Sequence, residues 1–193
     1  MMYPDKPVAS NVAVLEMLVD GDWLAEIKYD GWRVLARWDG HDVILTSRHQ
    51  NTIPATAPIT RALYDAVHTL PPCLLDGEWM GRRDDQPESL RLFDLLEYDG
   101  EWLGSVGAYD RWLRFTGLIE PRLDGGDLVR IVPHALTGYR DFFEYSKELP
   151  GAEGIVLKLK TSPFIGSVRR SIENPQWLKC KHRAGSDGQL VVA

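Results

Sequence analysis

Lys28-Tyr29-Asp30-Gly31-Trp32-Arg33 sets a lysine at the end of an apolar run and follows it with an Asp-Gly pair and an arginine. A lysine amine attacks only when unprotonated, and its ordinary pKa is near 10.4, so a nucleophilic lysine needs desolvation or positive neighbours. Trp177-Leu178-Lys179-Cys180-Lys181 offers such neighbours, because residues i and i+2 of a strand share a face. Glu78, in Leu75-Asp76-Gly77-Glu78, and Glu153, in Glu153-Gly154-Ile155-Val156-Leu157-Lys158, are carboxylates at the ends of apolar runs, types that bind a hard divalent cation. Taken singly, each has a plainer reading: a surface lysine, a two-lysine edge that discourages aggregation, an exposed acid.

Their order along the chain changes that balance. A chance match to Lys-x-Asp-Gly-x-Arg is expected about once in several hundred chains of this length. Here it is followed by Ser47-Arg48, Leu75-Asp76-Gly77-Glu78, Leu92-Phe93-Asp94, Glu153 to Lys158 and Trp177 to Lys181. The ordered set resembles the motifs of ATP-dependent DNA ligases, members of the covalent nucleotidyltransferases, which also include RNA ligases and mRNA-capping guanylyltransferases.

The resemblance implies an α+β ligase/nucleotidyltransferase (ATP-grasp-like) fold of mostly antiparallel sheets flanked by helices, with ATP and Mg2+ as cofactors and AMP carried covalently on Lys28. Lys179 and Lys181 fall at the positions that contact the α-phosphate. Glu78 matches a glutamate that touches ribose and helps with metal, and Glu153 matches a metal ligand. Phe93 is expected on one face of adenine, with Ile155 or Val156 on the other. Ile27 presents backbone groups to the adenine edge, assisted by the Glu26 side chain. Arg33 and Arg48 resemble arginines that hold ribose, nucleotide or the 5′-phosphate of a nick, a task suited to a guanidinium fork. Asp30 and Gly31 read as structural, and the histidines show no metal-ligand spacing.

The implied reaction has three steps: AMP passes from ATP to Lys28, from Lys28 to a 5′-phosphate, and is then displaced by a 3′-hydroxyl. Nicked double-stranded DNA is the expected partner, because the motifs look most like those of bacterial repair and phage DNA ligases. An RNA ligase, a guanylyltransferase or a non-catalytic end-binding module are the alternatives. Ligases of this family carry an OB-fold domain after the Lys-x-Lys strand, and the twelve residues from His182 to Ala193 are too few for a five-stranded barrel. One nucleotidyltransferase domain over 1–193 is expected, monomeric, which seals alone, works with a partner protein that supplies the OB-fold function, or is a remnant.

The elements that must position these residues are legible as periodicity. Trp23 to Lys28 and Val34 to Ser47 predict strands, the second folded at Asp39-Gly40. Lys28 to Arg33 predicts a loop. Ile59 to Leu70, Tyr109 to Ile119 and Thr137 to Leu149 have helical spacing, and Cys73 to Met80, Leu90 to Glu97, Leu128 to Pro133, Gly154 to Leu159 and Trp177 to Lys181 read as strands. Gly81 to Ser89 reads as a polar surface loop.

Composition sets the outer bounds. With 193 residues, 44% hydrophobic and 26% charged, the chain has the makeup of a packed globular domain. Two cysteines are too few for a disulfide framework or a cysteine-rich zinc site. No run of about eighteen apolar residues occurs and residues 1–10 lack a secretion-signal core, so a cytoplasmic location without membrane attachment is expected. A net charge of -6 excludes coating of nucleic acid by bulk attraction. From Lys158 to Arg183, however, seven basic residues face one acid, Glu173, so any anion site is local and lies toward the C-terminus.

Overall fold

The computed structural model describes residues 3–53, 55–81 and 87–182. Arg183 and most of the polar loop anticipated over 81–89 lie outside the described residues. The elements run β1 (Lys6–Ala9), β2 (Trp23–Tyr29), β3 (Trp32–Trp38), β4 (Val43–Ser47), α1 (Ala57–Val67), β5 (Cys73–Met80), β6 (Ser89–Tyr98), β7 (Glu101–Trp102), α2 (Ala108–Ile119), β8 (Val129–Ile131), β9 (His134–Ala135), α3 (Tyr139–Ser146), β10 (Ala152–Leu159) and β11 (Glu173–Lys181). Short 3-10 turns occupy Val12–Glu16 and Glu120–Arg122.

Two sheets result. The first has the order β1-β11-β10-β2-β9, and the second β4-β3-β5-β6-β7, with β8 also paired to β6. All pairs are antiparallel except β1 with β11 and β6 with β8. The α+β expectation of mostly antiparallel sheets with a few helices is therefore met.

Strand alternation divides the core into three parts. On the first sheet, Ala25, Ile27, Ile155, Leu157 and Cys180 face α3 and pack with Tyr139 and Phe143. On the second, Val34, Ala36, Leu75, Leu90 and Leu92 face α1 and α2 and pack with Ile59, Leu63 and Phe115. Between the sheets lie Leu35, Leu74, Leu96, Phe164 and Trp177. Trp177 is 1% exposed, and its indole N–H donates to Ser162 Oγ at 2.9 Å, so its polar atom enters the core satisfied.

The second helix departs from the amphipathic rule. Its buried stripe is Ala108, Arg111, Phe115 and Ile119, so an arginine sits where the spacing calls for an apolar residue. Two strands run further than periodicity indicated: β2 reaches Tyr29 and β3 starts at Trp32, leaving only Asp30 and Gly31 between them. Lys28 thus stands on a strand, correcting the loop expected over Lys28 to Arg33. Strands β1, β7 and β9 carry too few residues to show a period in the sequence.

Candidate active site

The inter-sheet core stops short of one end, where the two sheets enclose a cleft of about 580 Å³. Alternation decides what enters it. On β2, Ala25 and Ile27 face the core, so Glu26 and Lys28 face the cleft; on β10 and β11 the same parity turns Val156, Lys158, Lys179 and Lys181 inward. The second sheet contributes Arg33, Glu78 and Phe93, and Arg48 stands exposed beyond the end of β4.

Glu153 reaches this group through a break in the pleat. Parity alone would put it on the core face with Ile155. The pairing of β10 with β2 is irregular between Ala152 and Gly154, and Gly154 has φ +147°. Such a bulge re-aims its side chain. Lys28 Nζ consequently donates to Glu153 Oε1, and Lys181 Nζ lies 2.8 Å from Glu153 Oε2. Gly154 stands opposite both Lys28 and Lys181 in register, and a Cβ there would meet the Cys180 carbonyl oxygen at 1.9 Å. Only glycine lets the three strands close around these amines.

The electrostatics follow from crowding like charges beside one acid. Burial, then Lys181 and Lys28, hold Lys179 below the ordinary lysine range. Burial alone would raise Glu153, but hydrogen bonds from Lys181 and Lys28 outweigh it and hold the carboxyl below its ordinary value. Glu78 is pushed up to about 7 by burial, against the opposing pull of Lys28 and Arg33. Its Oε1 accepts the Gly31 N–H at 3.0 Å, which fixes the Asp30-Gly31 turn on β5. A Cβ on Gly31 would lie 2.6 Å from the Trp79 carbonyl oxygen, giving this glycine the structural role its motif implied.

At the other end of the cleft Phe93 lies between cations. The Arg33 guanidinium and Lys158 Nζ are each 5.2 Å from its ring centroid. Glu26, 4% exposed, pairs through Oε2 with Lys158 Nζ at 2.8 Å, while its Oε1 has no hydrogen-bond partner among the described residues. Burial raises Glu26 to about 6 despite Lys158. An orphaned carboxylate oxygen beside an aromatic ring fits a planar base that offers an N–H donor.

Most predicted site residues meet here, with three corrections. Ile155 is 0% exposed in the α3-facing core, so of the two apolar candidates opposite Phe93 it is Val156 that lines the cleft. Ile27 lines the cleft as expected, but its side chain is in the core and its N–H donates to the Pro133 carbonyl at 3.1 Å, so that donor does not read a base edge. Arg33 gives Nε and Nη2 to Asp76 and Nη1 to the Asp5 carbonyl, so much of its fork is engaged within the protein. Lys158, Trp32 and Tyr29 also line the cleft without having been singled out for a role. For Lys158 a signal existed: it follows Val156 by two and so shares its face.

The donor set fits a magnesium ion completed by substrate oxygens. Glu78 is in the cleft and Glu153 at its lysine corner, both hard oxygen donors, and Mg2+ is commonly held by one or two carboxylates plus phosphates. Among the described residues no group of three or more His, Cys, Asp or Glu gathers as a cation cage, and no helix is long and apolar enough to cross a membrane.

A family model described as the ATP dependent DNA ligase domain matches residues 6–91. The multifunctional non-homologous end joining protein LigD of Pseudomonas aeruginosa is 30% identical over 187 residues, covering 88% of this chain and 21% of that protein. A DNA ligase of Archaeoglobus fulgidus is 28% identical over 188 residues, covering 81% of this chain and 31% of its own length. Among solved structures, a mycobacterial DNA ligase D complexed with ATP and MES superimposes with a TM-score of 0.74 at 24% identity, covering 95% of this chain and 61% of that one. The chain thus spans less than a third of the length of either curated relative. In matched segment, relatives and fold together, the chain is similar to the nucleotidyltransferase, or adenylation, domain of ATP-dependent DNA ligases.

Proposed function

We propose that this domain takes AMP from ATP onto Lys28, passes it to the 5′-phosphate of nicked double-stranded DNA, and completes the seal when the 3′-hydroxyl displaces AMP. The observation that carries this reading is the convergence of Lys28, Lys179, Lys181 and Glu153 at one corner of a cleft whose other end offers Phe93 and an unpaired Glu26 oxygen. One end suits a phosphate chain and the other a purine.

In the first step the bond from Lys28 Nζ to the α-phosphorus forms as the bond to the pyrophosphate oxygen breaks, and the proton lost by the amine passes to solvent. Lys179 and Lys181 hold the α-phosphate oxygens and stabilise the charge that grows during transfer, which is where electrostatic catalysis acts. Glu153 holds Lys28 and Lys181 in one geometry until substrate arrives. Glu78 and Glu153 would hold Mg2+ against the triphosphate, and the ion when bound supplies charge neutralisation at the phosphoryl oxygens. Phe93 and Val156 sandwich the base. Arg48, exposed at the rim, is available to a 5′-phosphate. The whole protein works on DNA in a cytoplasmic setting in this reading, with any further domain or partner closing over the duplex.

The reading is tested by incubation with labelled ATP or GTP, followed by denaturing electrophoresis and then by a chase with nicked duplexes. Label from ATP should stay on the protein through denaturation and discharge onto a 5′-phosphorylated DNA nick. Preferential discharge onto nicked RNA, or a stable adduct from GTP alone, would replace it with an RNA ligase or a capping-type enzyme.

A further inference from the structure

Lys181 stands at the end of β11, where the sheet gives it little support. On one side β1 pairs no further than Ala9 opposite Lys179, and the Ser10 N–H closes that pairing on the Lys179 carbonyl oxygen at 3.0 Å. On the other, the ladder with β10 ends at Gly154 opposite Lys181, next to the irregularity that re-aims Glu153. An ammonium so placed is held no better than the strand end that carries it.

The residue after Lys181 supplies what the sheet lacks. The His182 N–H donates to the Glu153 carbonyl oxygen at 2.9 Å, and its Nε2 lies 2.7 Å from Ser146 Oγ. Ser146 is the last residue of α3 and is 0% exposed. Its hydroxyl donates to the Phe143 carbonyl oxygen at 2.6 Å, so Oγ can only accept from the imidazole, and Nε2 carries the hydrogen. The ring also stands edge-on to Phe143, with 5.4 Å between centroids and 74° between planes. His182 is therefore fixed to a helix by its side chain and, by its backbone, to the residue whose carboxylate bridges Lys28 and Lys181.

Stability alone gives little reason for this link. A single hydrogen bond contributes on the order of 1 kcal/mol net, and an apolar pair could fill the same place. What the link adds is direction: a second tier of contacts that locks the residues touching substrate in one geometry.

We propose that His182 is a positioning residue for nucleotidyl transfer: by tying the end of β11 to Ser146 and to the Glu153 backbone, it holds the Lys181 ammonium at the α-phosphate. This rests on the nucleotidyl transfer reading above. His182 touches no substrate and acts through Lys181 and Glu153.

The test measures the rate of lysyl-AMP formation at saturating ATP, the ATP dissociation constant and the melting temperature of the full 193-residue chain. Unmodified protein is compared with His182→Phe, His182→Gln, Ser146→Ala and the double variant of His182→Phe with Ser146→Ala. His182→Phe keeps a ring against Phe143 but loses the donor, and Ser146→Ala removes the acceptor. Each should slow adduct formation by about tenfold, the order of loss expected when a reacting geometry slips by a fraction of an ångström. The ATP dissociation constant should change by less than about threefold, because the charge that Lys181 meets grows only during transfer. The double variant should be slower than either single one by less than about threefold, since both break one link. His182→Gln, whose amide donates from near the place of Nε2, should recover the rate to within about threefold of the unmodified chain. Should Ser146→Ala not fold, the two His182 variants carry the comparison. A lower melting temperature with an unchanged rate, equal losses of rate and affinity, or no recovery in His182→Gln would overturn the inference. An unmodified chain that forms no adduct with ATP would instead overturn the reading beneath it, and the inference with it.

Discussion

Glu78 shows how a single side chain ties the site to stability. Burial lifts its carboxyl from an ordinary 4.5 to about 7, because the cleft disfavours the charged form. A folded-state pKa above the unfolded one contributes stability that is full below about 4.5 and is lost as pH rises through about 7. Glu78→Gln, which keeps an acceptor for the Gly31 N–H but carries no charge, should therefore gain on the unmodified protein as pH rises, by on the order of 2 kcal/mol between pH 5 and pH 8. Urea unfolding of both proteins at the two pH values checks this, and parallel pH curves would show that Glu78 is better solvated than its place beside Gly31 indicates. Lys28, Glu78, Glu153, Lys179 and Lys181 could be found in the sequence because each lies in a short spaced pattern with a chemical reason for its residue types. Ile155 could not be assigned correctly, since choosing between it and Val156 requires knowing which strand face meets α3. Lys158 shares its face with Val156, but its place in the basic stretch does not reveal that it is buried, and Arg111 went unread because it sits on α2 where the spacing calls for an apolar residue.

At the scale of elements, the site depends on three neighbouring strands presenting alternate residues and on one place where the alternation fails. Gly154 carries that failure, with φ +147° and no room for a Cβ against the Cys180 carbonyl. Gly154→Ala should cost about 3 kcal/mol or more and should also remove the Glu153 bridge between Lys28 and Lys181. Thermal unfolding and adduct formation should both fall. A variant of unchanged melting temperature that still forms the adduct at the normal rate would mean that β10 pairs differently from the register given above. The longer strands and all three helices were visible as periodicity, with ends shifted by a few residues. The extension of β2 and β3 into the Asp30-Gly31 turn was not, because Asp-Gly reads equally as the middle of a longer loop. Strands β1 and β9 exist only because β11 and β2 offer open edges, a tertiary cause without a local signature.

For the whole molecule, the proposed first step needs only nucleotide in the cleft between the two sheets, whereas the proposed sealing also requires a duplex to be held by its phosphates. Each protein–phosphate contact on duplex DNA releases counterions and contributes a slope of roughly -0.9 to log binding against log salt. Nick-sealing rates at subsaturating DNA should therefore fall steeply from low to physiological salt in a chain of net charge -6, while adduct formation without DNA changes far less. Parallel salt dependence of the two rates would place the limiting contact in the nucleotide cleft rather than along the duplex. The central claim, that Lys28 carries AMP, is tested most directly by the intact mass of purified protein after incubation with ATP and a magnesium salt, before and after addition of pyrophosphate. The unmodified chain should gain the mass of one AMP residue on the peptide containing Lys28 and lose it to pyrophosphate, and Lys28→Ala should gain nothing while remaining folded. An adduct that persists in Lys28→Ala, or none in an unmodified chain that binds ATP, would contradict the account.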